Sequence, residues 1–126
     1  AMTAATDEFI EAVRSYVGAG ERLIGGITSL NVMHGEALED LLGGMALTES
    51  CARRDSAGWS RQISALLEEF ETCRRTVRET AAVALVEEGR SVTDVGRAFG
   101  TTHQWASRLL KGADRTDVAD GVDAPA

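Results

Sequence analysis

Proline is almost missing from this chain: Pro125, next to the end, is the only one. With no pyrrolidine ring to remove a backbone N–H or fix φ, nothing before it forbids long helices. Runs of alternating β-branched residues are scarce too, so the first expectation is an all-helical chain. Aromatic residues make up only 5%, which leaves Ala, Leu, Val and Ile to build any core. Cys51 and Cys73 are too few for a disulfide framework and fit a reducing, cytoplasmic setting. No run approaches the ~18 apolar residues of a membrane span, and no basic stretch leads into an apolar one as a secretory signal would. Lysine is reduced to Lys111, and all other basic charge is arginine.

What is present is helical periodicity. Residues 7–18 read as a first helix, with Thr6 as its cap and Phe9, Ile10, Val13 and Val17 as an apolar stripe. A second pattern starts near Glu21, with Leu23, Ile24, Ile27 and Leu30 on one face, and resumes with Leu38, Leu41, Leu42 and Met45. Gly18 and Gly20 weaken or end the first helix, and Gly25, Gly26, Gly35, Gly43 and Gly44 interrupt the second pattern, each costing about 1 kcal/mol in a helix interior. The alternatives are a break near Asn31–Gly35 or one long helix held by close packing, and the break is the expectation. Residues 52–58 read as a polar connector. From about Gly58 to Glu88, Ile63, Leu66, Leu67, Phe70, Cys73, Val77 and Ala81 recur at spacings of three and four. That is a helix of about 45 Å, long enough to link two modules or to pack on a second copy of itself. Gly89 is placed to end it as a left-handed cap.

The segment SVTDVGRAFGTTHQWASRLLK, residues 91–111, carries the functional signal. Ser91 and Asp94 have the spacing of a capping box, Gly100 supplies a sharp turn, and Thr101 or Thr102 caps the next helix. Gly96 and Ala106 are small where two crossing helices would touch. Val92, Val95, Phe99, Leu109 and Leu110 would pin the pair onto Ala82, Leu85 and Val86. The remaining face holds Thr102, His103, Gln104, Ser107 and Arg108, all hydrogen-bonding side chains. Charge sharpens this reading. The chain carries −7 overall, yet residues 90–112 hold Arg90, Arg97, Arg108 and Lys111 against Asp94 alone. Phosphate attraction follows the local face rather than the total. The low total implies weak non-specific binding and strong salt sensitivity.

The stretch ALVEEGRSVTDVGRAFGTTHQWASRLLKG resembles the bacterial helix-turn-helix superfamily, especially its tri-helical, resolvase-type and repressor units. The matching residues are Gly89, Val95, Gly96, Arg97, Phe99, Gly100, Thr102, Ala106, Arg108, Leu109 and Leu110. Thr101 stands where a buried aliphatic is usual, and Ala106 is smaller than the usual valine. The resemblance covers residues 84–112 and leaves residues 1–75 without a family. It implies that Thr101, Thr102, His103, Gln104, Ser107 and Arg108 face bases or phosphates, with Arg90, Arg97 and Lys111 positioning the backbone. Arg108 would suit guanine and Gln104 adenine. Trp105 is open between packing beside the long helix and lying on a sugar-phosphate strand.

The expected architecture is therefore an N-terminal helical hairpin or bundle, residues 3–75, for dimerisation, with sensing as the other role open to it. A long helix joins it to a tri-helical helix-turn-helix, residues 76–112, followed by a disordered acidic tail, residues 113–126. The expected function is a cytoplasmic, homodimeric transcriptional regulator that binds double-stranded DNA at an inverted repeat, because a single unit covers only half an operator. A protein-interaction adaptor, for a sigma factor or another regulator, is the alternative. No cofactor or membrane partner is expected, and an effector, small molecule or protein, is left unnamed. His34 has Ala37 and Leu38 at the positions where metal ligands would be needed. Glu68–Glu69 and Glu87–Glu88 read as solvated faces, and no catalytic arrangement is present, so an enzyme is not expected. Cys73 reads as a small buried hydrophobe, not half of a redox pair.

Overall fold

The computed structural model describes residues 3–114. All of its elements are α-helices: α1 (Ala4–Leu42), α2 (Leu47–Arg53), α3 (Ser56–Glu87), α4 (Val92–Ala98) and α5 (His103–Asp114). Most of the expected acidic tail, from residue 115 onward, lies outside the described residues, and α5 takes in residues 113 and 114. Two compact units share the long helices. One comprises residues 17–71, and the other contains the described residues 3–16 and 72–114. The grouping of residues 3–16 with the C-terminal helices was not foreseen.

The glycines do not break α1. It runs unbroken from Ala4 to Leu42, through both expected interruptions. Its first turn is capped by Thr3, whose hydroxyl accepts the Thr6 N–H at 3.1 Å, so Thr6 is not the cap. The packing within residues 17–71 explains part of the tolerance. An added Cβ at Gly20 would touch the Phe70 ring at 3.5 Å, and one at Gly26 would run into Leu66. The absence of side chains at these points lets α1 and α3 approach closely, which offsets the intrinsic helix cost. Gly25 and Gly35 meet nothing, and packing does not account for them.

In this unit α1 and α3 run antiparallel, since Gly20 lies beside Phe70 and Gly26 beside Leu66 and Ile63. Ala19, Gly26 and Met33 are buried along the contact. Arg22 donates two hydrogen bonds to Glu69, at 3.0 and 3.1 Å. As an exposed pair it contributes less than about 1 kcal/mol and mainly fixes register. The polar connector expected at 52–58 is mostly helical. Only Arg54 and Asp55 separate α2 from α3. Asp55 adopts φ 53° and accepts the Gly58 N–H at 3.3 Å, so it turns the chain and caps α3 together.

A polar clasp fastens this connection to the end of α1. Arg54 donates from Nε and Nη2 to the two oxygens of Asp40, each at 2.9 Å, and from Nη1 to Glu36 at 3.1 Å. The Ser50 hydroxyl, itself buried, adds a bond to Asp40 at 3.3 Å. Hydrogen bonding by Arg54 holds the Asp40 carboxyl below its ordinary value of 3.8, against a smaller opposing effect of desolvation. A lowered carboxyl contributes stability that is present above the unfolded value and lost as pH falls through the folded one. Asp40→Asn should therefore destabilise the chain by a constant amount at neutral pH. The gap to wild type should close below about pH 4. Urea unfolding at a series of pH values checks this, and a gap that widens in acid would refute it.

Candidate nucleic-acid interface

The end of α3 sets the first constraint. Gly89, at φ 92°, lets Arg90 N–H reach back to the Leu85 carbonyl at 3.0 Å, while its own N–H bonds Val86 at 2.9 Å. This is the left-handed cap that the position predicts. Two residues on, the capping box is complete. Asp94 N–H donates to the Ser91 hydroxyl at 3.0 Å, and the Ser91 N–H donates to the Asp94 carboxylate at 3.1 Å. The Ser91 backbone N–H, then its hydroxyl, hold the Asp94 carboxyl below its usual range, with Arg97 and Arg90 adding attraction.

The turn between α4 and α5 is tighter than φ alone requires. A Cβ on Gly96 would stand 2.8 Å from the Thr102 carbonyl oxygen and 3.2 Å from that of Thr101. Gly100, at φ 69°, folds the chain so that Thr101 N–H reaches the Gly96 carbonyl at 2.8 Å. Thr102 then caps α5, its hydroxyl accepting the Trp105 N–H at 3.1 Å. Between the two candidates for this cap, the structure selects Thr102.

Behind the turn lies a small core of Ala82, Val95, Trp105, Ala106 and Leu109, with Leu85, Val92, Phe99 and Leu110 packed against it. Val86, expected on the surface of α3 that receives these pins, is exposed instead. Trp105 is buried, edge-on to Phe99 at 5.6 Å, and the Arg78 guanidinium of α3 lies 5.6 Å from its ring centroid. It packs beside the long helix and is not a surface plate. The spacing of Trp105, Ala106 and Leu109, one, four and three residues apart, carried this signal in the sequence. Arg78, the cation over that ring, was missed because its role depends on a residue far along the chain. Glu79, also on α3, is half-buried beside Gly112, and desolvation pushes its carboxyl up against the pull of Arg75 and Arg78.

The outer side of α5 carries the polar set. Gln104, Arg108 and Lys111 are exposed and Ser107 half-buried, and spacings of three and four residues align them along one face. Burial of Trp105, Ala106 and Leu109 fixes the opposite side inward. The remaining candidates are more engaged. Thr101 is half-buried and its N–H is used in the turn. The Thr102 hydroxyl is occupied by its cap. His103 Nδ1 lies 3.1 Å from the Thr93 hydroxyl of α4, a bond not foreseen. Arg97 lies on α4, exposed, 3.5 Å from Asp94, and Arg90 sits exposed in the loop after α3. Neither shares the face of α5.

Among the described residues no group of His, Cys, Asp and Glu could hold a metal ion, and no helix is long and apolar enough to cross a membrane. Cys51 is exposed, and Cys73 is half-buried, not enclosed. Comparison with protein-family models, with curated proteins and with solved structures finds no match to this chain.

Inner and outer residues of α5 should separate cleanly in stability. Trp105→Ala should cost about 3–5 kcal/mol, as for large buried aromatics. Gln104→Ala should stay within about 0.5 kcal/mol of wild type, as for an ordinary surface change. Equal losses in denaturant titrations would contradict the assigned orientation of α5.

Proposed function

We propose that the chain is a sequence-specific DNA-binding transcriptional regulator of the helix-turn-helix kind, acting as a homodimer on an inverted-repeat operator. The observation that carries this reading is the face of α5. Gln104, Ser107, Arg108 and Lys111 form a polar, cationic strip on a helix held from behind by Trp105, Ala106 and Leu109. A helix of this width fits the major groove, where Arg108 can pair with the O6 and N7 of guanine and Gln104 with the N6 and N7 of adenine. Lys111, Arg97 and Arg90 supply phosphate contacts that set orientation without reading sequence. Thr101, Thr102 and His103 lie where α5 begins, so their exposed atoms would approach the phosphate strand at the groove edge.

The −7 overall charge limits this attraction to one face, and with it non-specific binding. It also favours a second reading, an adaptor that binds protein through its helices. Salt separates the two. Binding to phosphates releases counterions and weakens steeply with salt, whereas an apolar protein contact does not.

Selection of bound sequences from random DNA by the purified chain should return an inverted repeat with half-sites about 34 Å apart. On that site, Arg108→Ala and Gln104→Ala should each cost about 1–3 kcal/mol and relax preference at a single base position. Lys111→Ala should weaken all sequences alike and lower the salt slope by about one. Anisotropy titrations that leave affinity unchanged in the Gln104→Ala, Arg108→Ala double variant would remove the proposal.

A further inference from the structure

The part of α1 from residue 17 to its end at Leu42 buries one side against α3 and leaves aliphatic residues on another. In residues 17–42 the inward positions are Ala19, Leu23, Gly26, Leu30, Met33 and Ala37, all buried or half-buried. Away from them, Val17, Ile24 and Leu38 are exposed by 56, 67 and 57%, and Ile27, Leu41 and Leu42 are exposed as well. Val17, Ile24, Asn31 and Leu38 recur every seven residues, and Ile27, His34 and Leu41 stand three residues after the last three of them, while Gly20 belongs to the contact with α3. This is the a and d pattern of a helix that winds around another helix.

The stripe also has a defined side. Residues two apart on a helix project about 200° from each other. Arg22 and Glu69 pair across one flank of the α1–α3 contact. Ile24 and Leu67, each two residues from a member of that pair, therefore project to the opposite flank, and both are exposed. Residues 17–42 extend about 39 Å, and with a helix width of about 10 Å the stripe covers on the order of 400 Å², near the largest patch monomers usually expose.

We propose that this stripe is the seam of a parallel homodimer in which α1 of one copy lies along α1 of a second, and Asn31 pairs with the partner's Asn31. It deepens the homodimer reading given above, and rests on it, by placing the contact. The occupant follows from the stripe itself. A seven-residue repeat is matched by a helix of the same repeat. Asn31 is the polar residue at its centre, flanked by apolar halves at 17–27 and 38–42. Opposite an aliphatic side chain, the amide would lose water without gaining a partner. Opposite itself, in a parallel pair, its donor meets the other copy's acceptor, the arrangement by which a single buried asparagine fixes register and orientation. His34, next along the seam, extends the polar layer. No charged side chain occupies a stripe position.

Sedimentation equilibrium on the full chain tests the seam. Wild type should be a dimer at micromolar concentration. Ile24→Glu with Leu38→Glu should raise the dissociation constant at least about 100-fold while leaving the helical circular dichroism unchanged, because both positions face solvent in one copy. In a chain with Cys51→Ser and Cys73→Ser and with Asn31 kept, Leu38→Cys should cross-link into dimers on mild oxidation, because position 38 meets its own counterpart only in a parallel pair. If wild type is a dimer and the double glutamate variant remains one, the seam is overturned and the dimer stands on another surface. A wild-type dimer with no cross-link at position 38 overturns the parallel register. A monomeric wild type overturns both the seam and the homodimer reading, and leaves half-site DNA binding to be judged by its own titration.

Discussion

The approach of one backbone to another at Gly96 governs the C-terminal unit. The Thr102 carbonyl oxygen occupies the space in which a Cβ would stand, 2.8 Å away. That carbonyl also accepts the Ala106 N–H at 3.1 Å, so it belongs to the first turn of α5. Any residue at position 96 that pushes it back would move the start of α5, and with it every outward side chain. The left-handed turn at Gly100, the cap at Thr102 and the burial of Trp105 all presuppose this contact. The polar outer face of α5 is thus positioned by the absence of a side chain on α4.

Charge is arranged in support of that geometry. Asp94, the single acid among residues 90–112, is committed to the Ser91 cap and lies against Arg97. It stabilises α4 and partly neutralises one cation, leaving Arg108 and Lys111 as the positive charges on α5. On the far side of the core, Arg78 reaches Trp105 through its ring face. Arginine serves two ends here: packed over an aromatic, its flat, weakly hydrated guanidinium covers apolar surface, while exposed it presents a fork of donors. The acidic remainder of the chain keeps the cationic strip local, which, on the DNA-binding reading proposed above, favours discrimination over bulk attraction.

The sequence made the C-terminal unit legible because each of its devices is local. Ser91 with Asp94, Gly89 after the apolar run, and Gly96 with Gly100 act within a few residues, and their spacing is their mechanism. The end of α3 was legible for the same reason. The N-terminal half was not, because glycine is ambiguous without its neighbour. Gly20 and Gly26 read as helix breakers until Phe70 and Leu66 are known to lie against them. Trp105 is ambiguous in the sequence although the spacing of Ala106 and Leu109 points inward, since an amphipathic ring suits either side. The clasp of Arg54 with Asp40 and Glu36 spans too much sequence to be inferred from a pattern, and Arg53 beside Arg54 gave no clue to which of them would be used. The candidate face of α5 was visible as a set of residue types. What the sequence withheld is that Thr101 and Thr102 are largely consumed in building the turn.

On the reading proposed here, self-association and DNA binding are one coupled equilibrium. A lone α5 face contacts one half-site, and its affinity is limited by how few bases one helix can reach. Two faces held in one assembly turn the second contact into an intramolecular event, whose effective concentration depends on how rigidly the copies are joined. That concentration is highest for half-sites whose spacing both faces can reach at once. Reciprocity then requires that an operator of the matching spacing tighten the dimer by the same factor by which dimerisation tightens operator binding. An operator of the wrong spacing gains nothing from the second copy. Specificity for DNA would then rest on two choices made together: the side chains of α5 choose bases, and self-association decides how many such faces an operator meets at once.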